Sequence, residues 1–243
     1  MVDVTSLVYG LGATSFLVGI FIVYRLTQTE EGRAGRGAFP VLYTIPVVAG
    51  LSYVGMALGL LDVQVGTVEI PALRYVDWLI TTPVLVGYAA YTANAPRKTV
   101  YAIAGVDAAM ILIGYLAVVT TGTLRILGFA FSSLCYVGLL WALYRLLPAY
   151  AHEESIPRRR LFEILKNHVG LLWLAYPLIW AVGPLGIDAI SITAVALLIA
   201  FMDVIAKVPY TYFVYAHRDA FDPEAAGTSV VETDDEQSGF PAD

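Results

Sequence analysis

Polar and charged residues fall in short clusters along this chain, and between the clusters run seven long apolar stretches: residues 6–24, 41–61, 73–91, 99–119, 124–147, 161–182 and 190–215. Each is close to the roughly 20 residues that a helix needs to cross a hydrocarbon core of about 30 Å. The intervals carry helix-ending punctuation: Glu30-Glu31-Gly32 with Gly35 and Gly37, residues 66–71, Asn94-Ala95-Pro96, Thr120-Thr121-Gly122, residues 148–157, and Gly183-Pro184 with Gly186. The pattern predicts an all-α membrane protein, a bundle of seven transmembrane helices joined by short loops. No period of about 20–50 residues repeats, which disfavours an inverted-repeat transporter.

Composition agrees. Of 243 residues, 58% are hydrophobic and 14% charged, where a soluble domain carries roughly 25% charged residues. The mean hydropathy is +0.73. A water-soluble enzyme, a disordered chain and a disulfide scaffold are all excluded, the last because Cys135 is the single cysteine. The net charge of −6 is local: eight of the 20 acids lie beyond residue 216, leaving 12 acids against 13 bases before it. The chain therefore divides into a membrane domain, residues 1–216, and an acidic tail, 217–243, expected to be a disordered terminus. Nucleic acid is an unsuitable partner for such a distribution. The first span has no basic n-region and no clear cleavage site, so it is expected to be retained as the first helix.

Orientation follows from Lys and Arg beside the spans. Arg25, Arg33, Arg36, Arg97, Lys98, Arg145, Arg158, Arg159, Arg160, Lys166 and Arg218 fall on one side, and only Arg125 on the other. This places the N-terminus outside and the C-terminus in the cytoplasm of a multi-pass cell-membrane protein.

A charge inside a span costs at least ~2.5–3.5 kcal/mol and points to function. Lys207 lies about two thirds of the way along the last span, with Asp203 four residues earlier on the same face. In the third span Arg74, Asp77, Trp78 and Thr81 share one helical stripe. Asp107 sits in the fourth with Met110 and Gly114. The plain alternative is a buried ion pair of Lys207 with Asp77 or Asp203 that only fixes helix packing. The chemical reading is a desolvated, nucleophilic lysine that forms a Schiff base with an aldehyde. Such a cation needs a buried counterion, and Asp77 and Asp203 are the candidates. Trp173, Tyr176 and Trp180 recur on the sixth span around Pro177, and with Trp78 they supply enough aromatic area to box a flat polyene. Pro177 and Pro209 mark places where a helix can bend.

Three segments carry a family resemblance: Arg74-Tyr75-Val76-Asp77-Trp78-Leu79-Ile80-Thr81-Thr82-Pro83, Leu172-Trp173-Leu174-Ala175-Tyr176-Pro177 and Asp203-Val204-Ile205-Ala206-Lys207-Val208-Pro209. Together they resemble the archaeal microbial rhodopsins, over essentially residues 6–216. The resemblance implies all-trans retinal on Lys207, Asp77 as primary counterion and proton acceptor, Asp203 as second counterion and Arg74 as a mobile cation beneath them. It implies a pocket of Tyr53, Trp78, Thr81, Thr82, Met110, Gly114, Phe129, Ser132, Trp173, Tyr176, Pro177 and Trp180.

Departures from the proton-pump pattern narrow this. Tyr88 stands where efficient pumps keep a cytoplasmic carboxylate, and Leu185 and Val195 where they keep two extracellular glutamates. The similarity is greatest to sensory rhodopsin I and the middle rhodopsins, through Leu51-Ser52-Tyr53-Val54-Gly55-Met56-Ala57, Lys166-Asn167-His168-Val169-Gly170-Leu171-Leu172-Trp173 and Ala206-Lys207-Val208-Pro209-Tyr210. His168 is implied to tune the cytoplasmic half-channel. A histidine near a helix end is otherwise a hydrogen-bonded structural residue. Asp107 and Tyr88 join it as candidates for the proton path and signalling.

The expected function is a photoreceptor for phototaxis that signals through retinal isomerisation and Schiff-base proton transfer. A two-helix methyl-accepting transducer is the implied partner besides membrane lipid, and Ser191 on the seventh helix is a candidate contact. The alternatives are a slow light-driven outward proton pump and a retinal-free structural protein. An enzyme is least favoured, because no Ser/His/Asp arrangement, P-loop or metal-ligand cluster appears and His152, His168 and His217 are scattered. The sequence leaves the oligomeric state open, a homo-oligomer included.

Overall fold

The computed structural model describes residues 4–31 and 38–221. Arg33, Arg36, Gly32, Gly35 and Gly37, and the acidic tail from residue 222 onward, lie outside the described residues.

The elements run α1 (Val4–Thr27), a 3-10 turn (Pro40–Tyr43) leading into α2 (Thr44–Ala57), β1 (Asp62–Val65), β2 (Val68–Pro71), α3 (Ala72–Thr92), α4 (Arg97–Val119), α5 (Gly122–Trp141), α6 in two pieces (Ile156–Leu172 and Ala175–Val182) and α7 (Ile192–Ala216). A closing 3-10 turn spans Arg218–Phe221. Neighbours in sequence pack side by side from α1 through α5, α7 returns to α1, and α6 packs on α3 and α7. The result is a seven-helix bundle. Large apolar side chains face outward, Leu11 and Ile126 each at 69% exposure, because hydrocarbon is their solvent.

Five helical stretches are long and apolar enough to span a membrane on composition alone: Val4–Thr27, Pro40–Ala57, Arg97–Val119, Gly122–Ala151 and Ile192–Ala216. The third and sixth spans fall below that mark for physical reasons. α3 carries Arg74, Asp77 and three threonines along its 21 residues. α6 is cut in two at Trp173-Leu174. Pro177 has no N–H to give the carbonyl of Trp173 four residues back, and that oxygen accepts from the Tyr176 amide at 3.2 Å instead.

Proline also acts near the end of α5. Pro148 leaves the carbonyl of Tyr144 without its helical donor, and the chain passes through a π-turn (Ala142–Leu146) before Leu147–Ala151.

One stretch differs from the sequence expectation. The sequence predicts a second span reaching residue 61 with breakers at 66–71, but α2 stops at Ala57 and an antiparallel hairpin follows, pairing Asp62 with Pro71 and Val65 with Val68. Strand alternation in Asp62-Val63-Gln64-Val65 was hidden at the end of an apolar run. Ser191 is likewise not within α7: it is the N-cap, and its hydroxyl accepts from the Ala194 amide at 3.2 Å.

The core fills the half of the bundle nearest the basic loops, where Leu85, Tyr88, Leu161, Phe162, Leu165, Tyr210 and Val214 pack between α3, α6 and α7. A second cluster joins α1, α2 and α7 through Phe16, Tyr53 and Ala200. Gly12 permits this contact, since a Cβ there would collide with the Tyr53 ring.

Candidate functional site

Four charges meet near the middle of the bundle, all of them buried. Lys207 on α7 donates from Nζ to Oδ2 of Asp77 on α3 at 2.5 Å. Asp77 also accepts at Oδ1 from Thr81 Oγ at 3.0 Å. Asp203, one turn before Lys207, pairs with no cation among the described residues and is held by neutral donors: Tyr53 OH to Oδ2 at 2.8 Å, Tyr176 OH to Oδ1 at 2.7 Å and Trp78 Nε1 to Oδ1 at 3.0 Å. Three donors satisfy a buried carboxylate without a salt bridge. Arg74 lies one turn below Asp77. Its Nη2 donates to Tyr9 OH at 3.0 Å, its guanidinium carbon stands 5.7 Å from the Tyr9 ring centroid, and its Nε is buried without a partner. Two cations and two anions balance, which is the arrangement that makes such burial tolerable.

From Lys207 a cavity of about 600 Å³ extends away from the ion pair. That volume lies within the usual range for a small-molecule site. Trp78, Trp173, Tyr176 and Trp180 form aromatic walls, with Met110, Gly114, Phe129 and Ser132 toward α4 and α5. Trp78 and Tyr176 meet edge to face at 5.2 Å. Such a slot, apolar along its length and ending at a primary amine beside a carboxylate, has the chemistry to hold a long polyene aldehyde.

Ten of the twelve expected pocket residues line this cavity, Thr82 and Pro177 among them. Tyr53 and Thr81 do not: they stand behind it and bond to Asp203 and Asp77. Ser132 Oγ donates to the Met110 carbonyl at 2.9 Å, tying α5 to α4 along the wall.

Asp107 is buried on α4, with Oδ2 2.6 Å from Thr82 Oγ, which also lies 2.7 Å from the Trp78 carbonyl. The Thr82 hydroxyl donates toward both the Asp107 carboxylate and the Trp78 carbonyl, a shared bond that ties α3 to α4. His168 on α6 reaches the Ala206 carbonyl, with Nε2 at 3.1 Å. Tyr88 is buried in an aromatic group with Tyr91 and Tyr210, and its hydroxyl has no hydrogen-bond partner among the described residues.

Tyr9 is the site residue that the motifs did not reveal. It is an aromatic on the first span with no charged neighbour in sequence, and only the fold brings it to Arg74.

A family model described as bacteriorhodopsin-like protein matches residues 3–220. The chain is 47% identical to a sensory rhodopsin of Halorubrum sodomense, over 91% of this chain and 87% of that one. It is 44% identical to sensory rhodopsin I of Haloarcula marismortui, over 90% and 92%. Among solved structures it is similar to the thermophilic rhodopsin of Rubrobacter xylanophilus, with a TM-score of 0.85 and 28% identity over 92% of this chain and all of the other.

Proposed function

The chain belongs to the bacteriorhodopsin-like family, and from that premise we propose that it is a light receptor of the sensory rhodopsin I kind, carrying all-trans retinal on Lys207 and reporting to a two-helix methyl-accepting transducer. The observation that carries this reading is that Lys207, paired with Asp77, lines an aromatic, apolar cavity. The relatives named sensory rhodopsin favour a receptor over a pump.

Retinal, when bound, supplies visible absorption and light-driven isomerisation. The protein does the rest. Lys207 Nζ would hold the positive charge of the bound group, and Asp77, already in contact with that nitrogen, would accept its proton. Asp203, held by the hydroxyls of Tyr53 and Tyr176 and the indole of Trp78, supplies a second carboxylate to the site. Arg74, hydrogen-bonded to Tyr9 alone among the described residues, is free to follow the new charge distribution. Thr82 and Asp107 link α3 to α4 beside the cavity, and His168 links α6 to α7, so neutralising Lys207 and Asp77 alters forces on four helices at once.

Taking the basic end of the bundle as cytoplasmic, the proton must return past Tyr88, a position with no carboxylate to supply it. Return is slow, and the state that persists is a signal. The rival reading is a light-driven outward proton pump, since Asp77 can still accept. Lipid vesicles containing only this protein decide between them under illumination: little sustained pumping and a slow photocycle are expected, and rapid, lasting acidification with a millisecond cycle would overturn the receptor.

A further inference from the structure

After α7 the chain folds back over the basic end of the bundle. His217 donates its amide to the Phe213 carbonyl at 3.0 Å, and Arg218 donates to the Tyr215 carbonyl at 3.1 Å and pairs with Glu31 at 3.5 Å. The turn ends in Phe221, whose ring lies 5.0 Å from Phe39, 6.3 Å from Tyr88 and 6.0 Å from Tyr91, stacked on the last at 9°.

Arg158, in the first turn of α6, fastens this ring. Its guanidinium carbon stands 5.8 Å from the Phe221 centroid and 5.4 Å from that of Tyr91. The same side chain donates to the carbonyls of Thr92 at 3.1 Å and Tyr91 at 3.0 Å, at the end of α3. Glu154 steadies it at 3.5 Å while accepting from Asn94 at 2.6 Å.

Beneath Phe221 lies Tyr88, then Tyr210 at 6.4 Å, one turn beyond Lys207. Tyr210 donates to the Leu85 carbonyl at 2.8 Å, and the Tyr88 hydroxyl has no hydrogen-bond partner among the described residues. The charged and titratable groups around the column are Arg158 on α6, Glu154 in the turn before it, Arg218 on the closing turn, Glu31 after α1, Tyr91 on α3 and His168 facing Tyr210. None of these is a carboxylate or amine between Phe221 and Lys207 among the described residues. From Phe221 inward the groups on this line are rings, Tyr88 and then Tyr210, one turn from Lys207.

We infer that Phe221 is a positioning residue for the proton's return: it is the outer gate over Tyr88, and Arg158 holds it shut until α6 moves away from α3. The inference rests on the reading of Lys207 as the retinal-bearing lysine. The proton comes from solvent water on the basic side and ends on Lys207 Nζ. Because one arginine grips both the end of α3 and Phe221, a displacement of α6 breaks both grips together.

The test uses the full chain, loaded with retinal in lipid vesicles, with the return of dark absorption followed after a flash at several pH values and with added azide as a small proton carrier. Phe221→Ala is expected to return several-fold faster, with a steeper dependence on pH and azide, and Phe221→Leu to restore most of the slow return. Arg158→Gln is expected to change the return in the direction of Phe221→Ala, and it serves as the second probe if Phe221→Ala forms no pigment. Return rate and pH slope unchanged in either variant, with normal dark colour and bleaching, would overturn the gate. A wild-type protein that takes no colour would instead defeat the assignment of Lys207, a separate failure.

Discussion

His168 Nε2 sits 3.1 Å from the carbonyl oxygen of Ala206, the residue before Lys207. A carbonyl only accepts, so this nitrogen carries the hydrogen. The bond forms beside a gap in α7, since Pro209 leaves the Ile205 carbonyl without its helical donor. The histidine ring also packs edge to face on Phe213 at 5.2 Å. His168→Phe keeps the packing and removes the bond, at an expected cost of about 0.5–1.5 kcal/mol. A lower midpoint of thermal bleaching and an altered return to the dark state are the readouts. Unaltered kinetics would leave the ring a packing role alone.

Asp77 is expected to set the colour. Protonating it removes the anion from Lys207 Nζ, so acidification shifts absorption to the red, and Asp77→Asn fixes the red-shifted form at every pH. An acid titration of purified pigment checks this. A mutant that still titrates like the wild type would reassign the counterion to Asp203.

Gly12 controls Asp203 from a distance. A Cβ at this position would meet the Tyr53 ring, which donates to Asp203. Gly12→Val should displace that ring and cost about 1–3 kcal/mol through overpacking. It should also change the absorption spectrum, because a donor to the second carboxylate is lost. Stability reduced with an unchanged spectrum would show that Tyr53 keeps its bond.

The hairpin between α2 and α3 should respond to pH through Asp62. Partial burial, and then the neighbouring Glu69 carboxylate, hold the Asp62 carboxyl above its ordinary range. The folded hairpin thus binds this proton more tightly than the unfolded one, and its stability is greatest in acid and declines as pH rises through the raised value. Asp62→Asn removes the decline. Hydrogen exchange of the Ala72 amide, which donates to the Leu61 carbonyl at 3.1 Å, should be slower in the variant at neutral pH and equal in acid. Equal exchange at both would show that Glu69 does not act on Asp62.

The sequence displayed some of these relationships and concealed others. Lys207, Asp77, Asp203 and Arg74 stood out because a charge in an apolar run is costly, and spacing alone aligned Arg74 with Asp77. Distances between helices were not legible: that Lys207 meets Asp77 rather than Asp203, which lies on its own helix, is settled only by how α3 and α7 pack. Tyr53 and Thr81 were expected on the pocket wall and stand behind it, since a helical stripe fixes a face but not a depth. The hairpin was hidden because apolar residues ran on past the end of α2. Phe221 was overlooked because its segment was weighed by charge, and a single ring does not register in that count.

The interruption at Trp173 has a geometrical consequence. The first piece of α6 is 17 residues long, a rod of about 25 Å at the usual rise per residue, jointed where Trp173 touches the cavity. A tilt of about 10° at that joint would carry the far tip roughly 4 Å, given a rod of this length. Arg158 rides on the tip. A displacement too small to disturb the aromatic walls is thus magnified, by leverage alone, into one that exceeds the reach of a hydrogen bond at the opposite end.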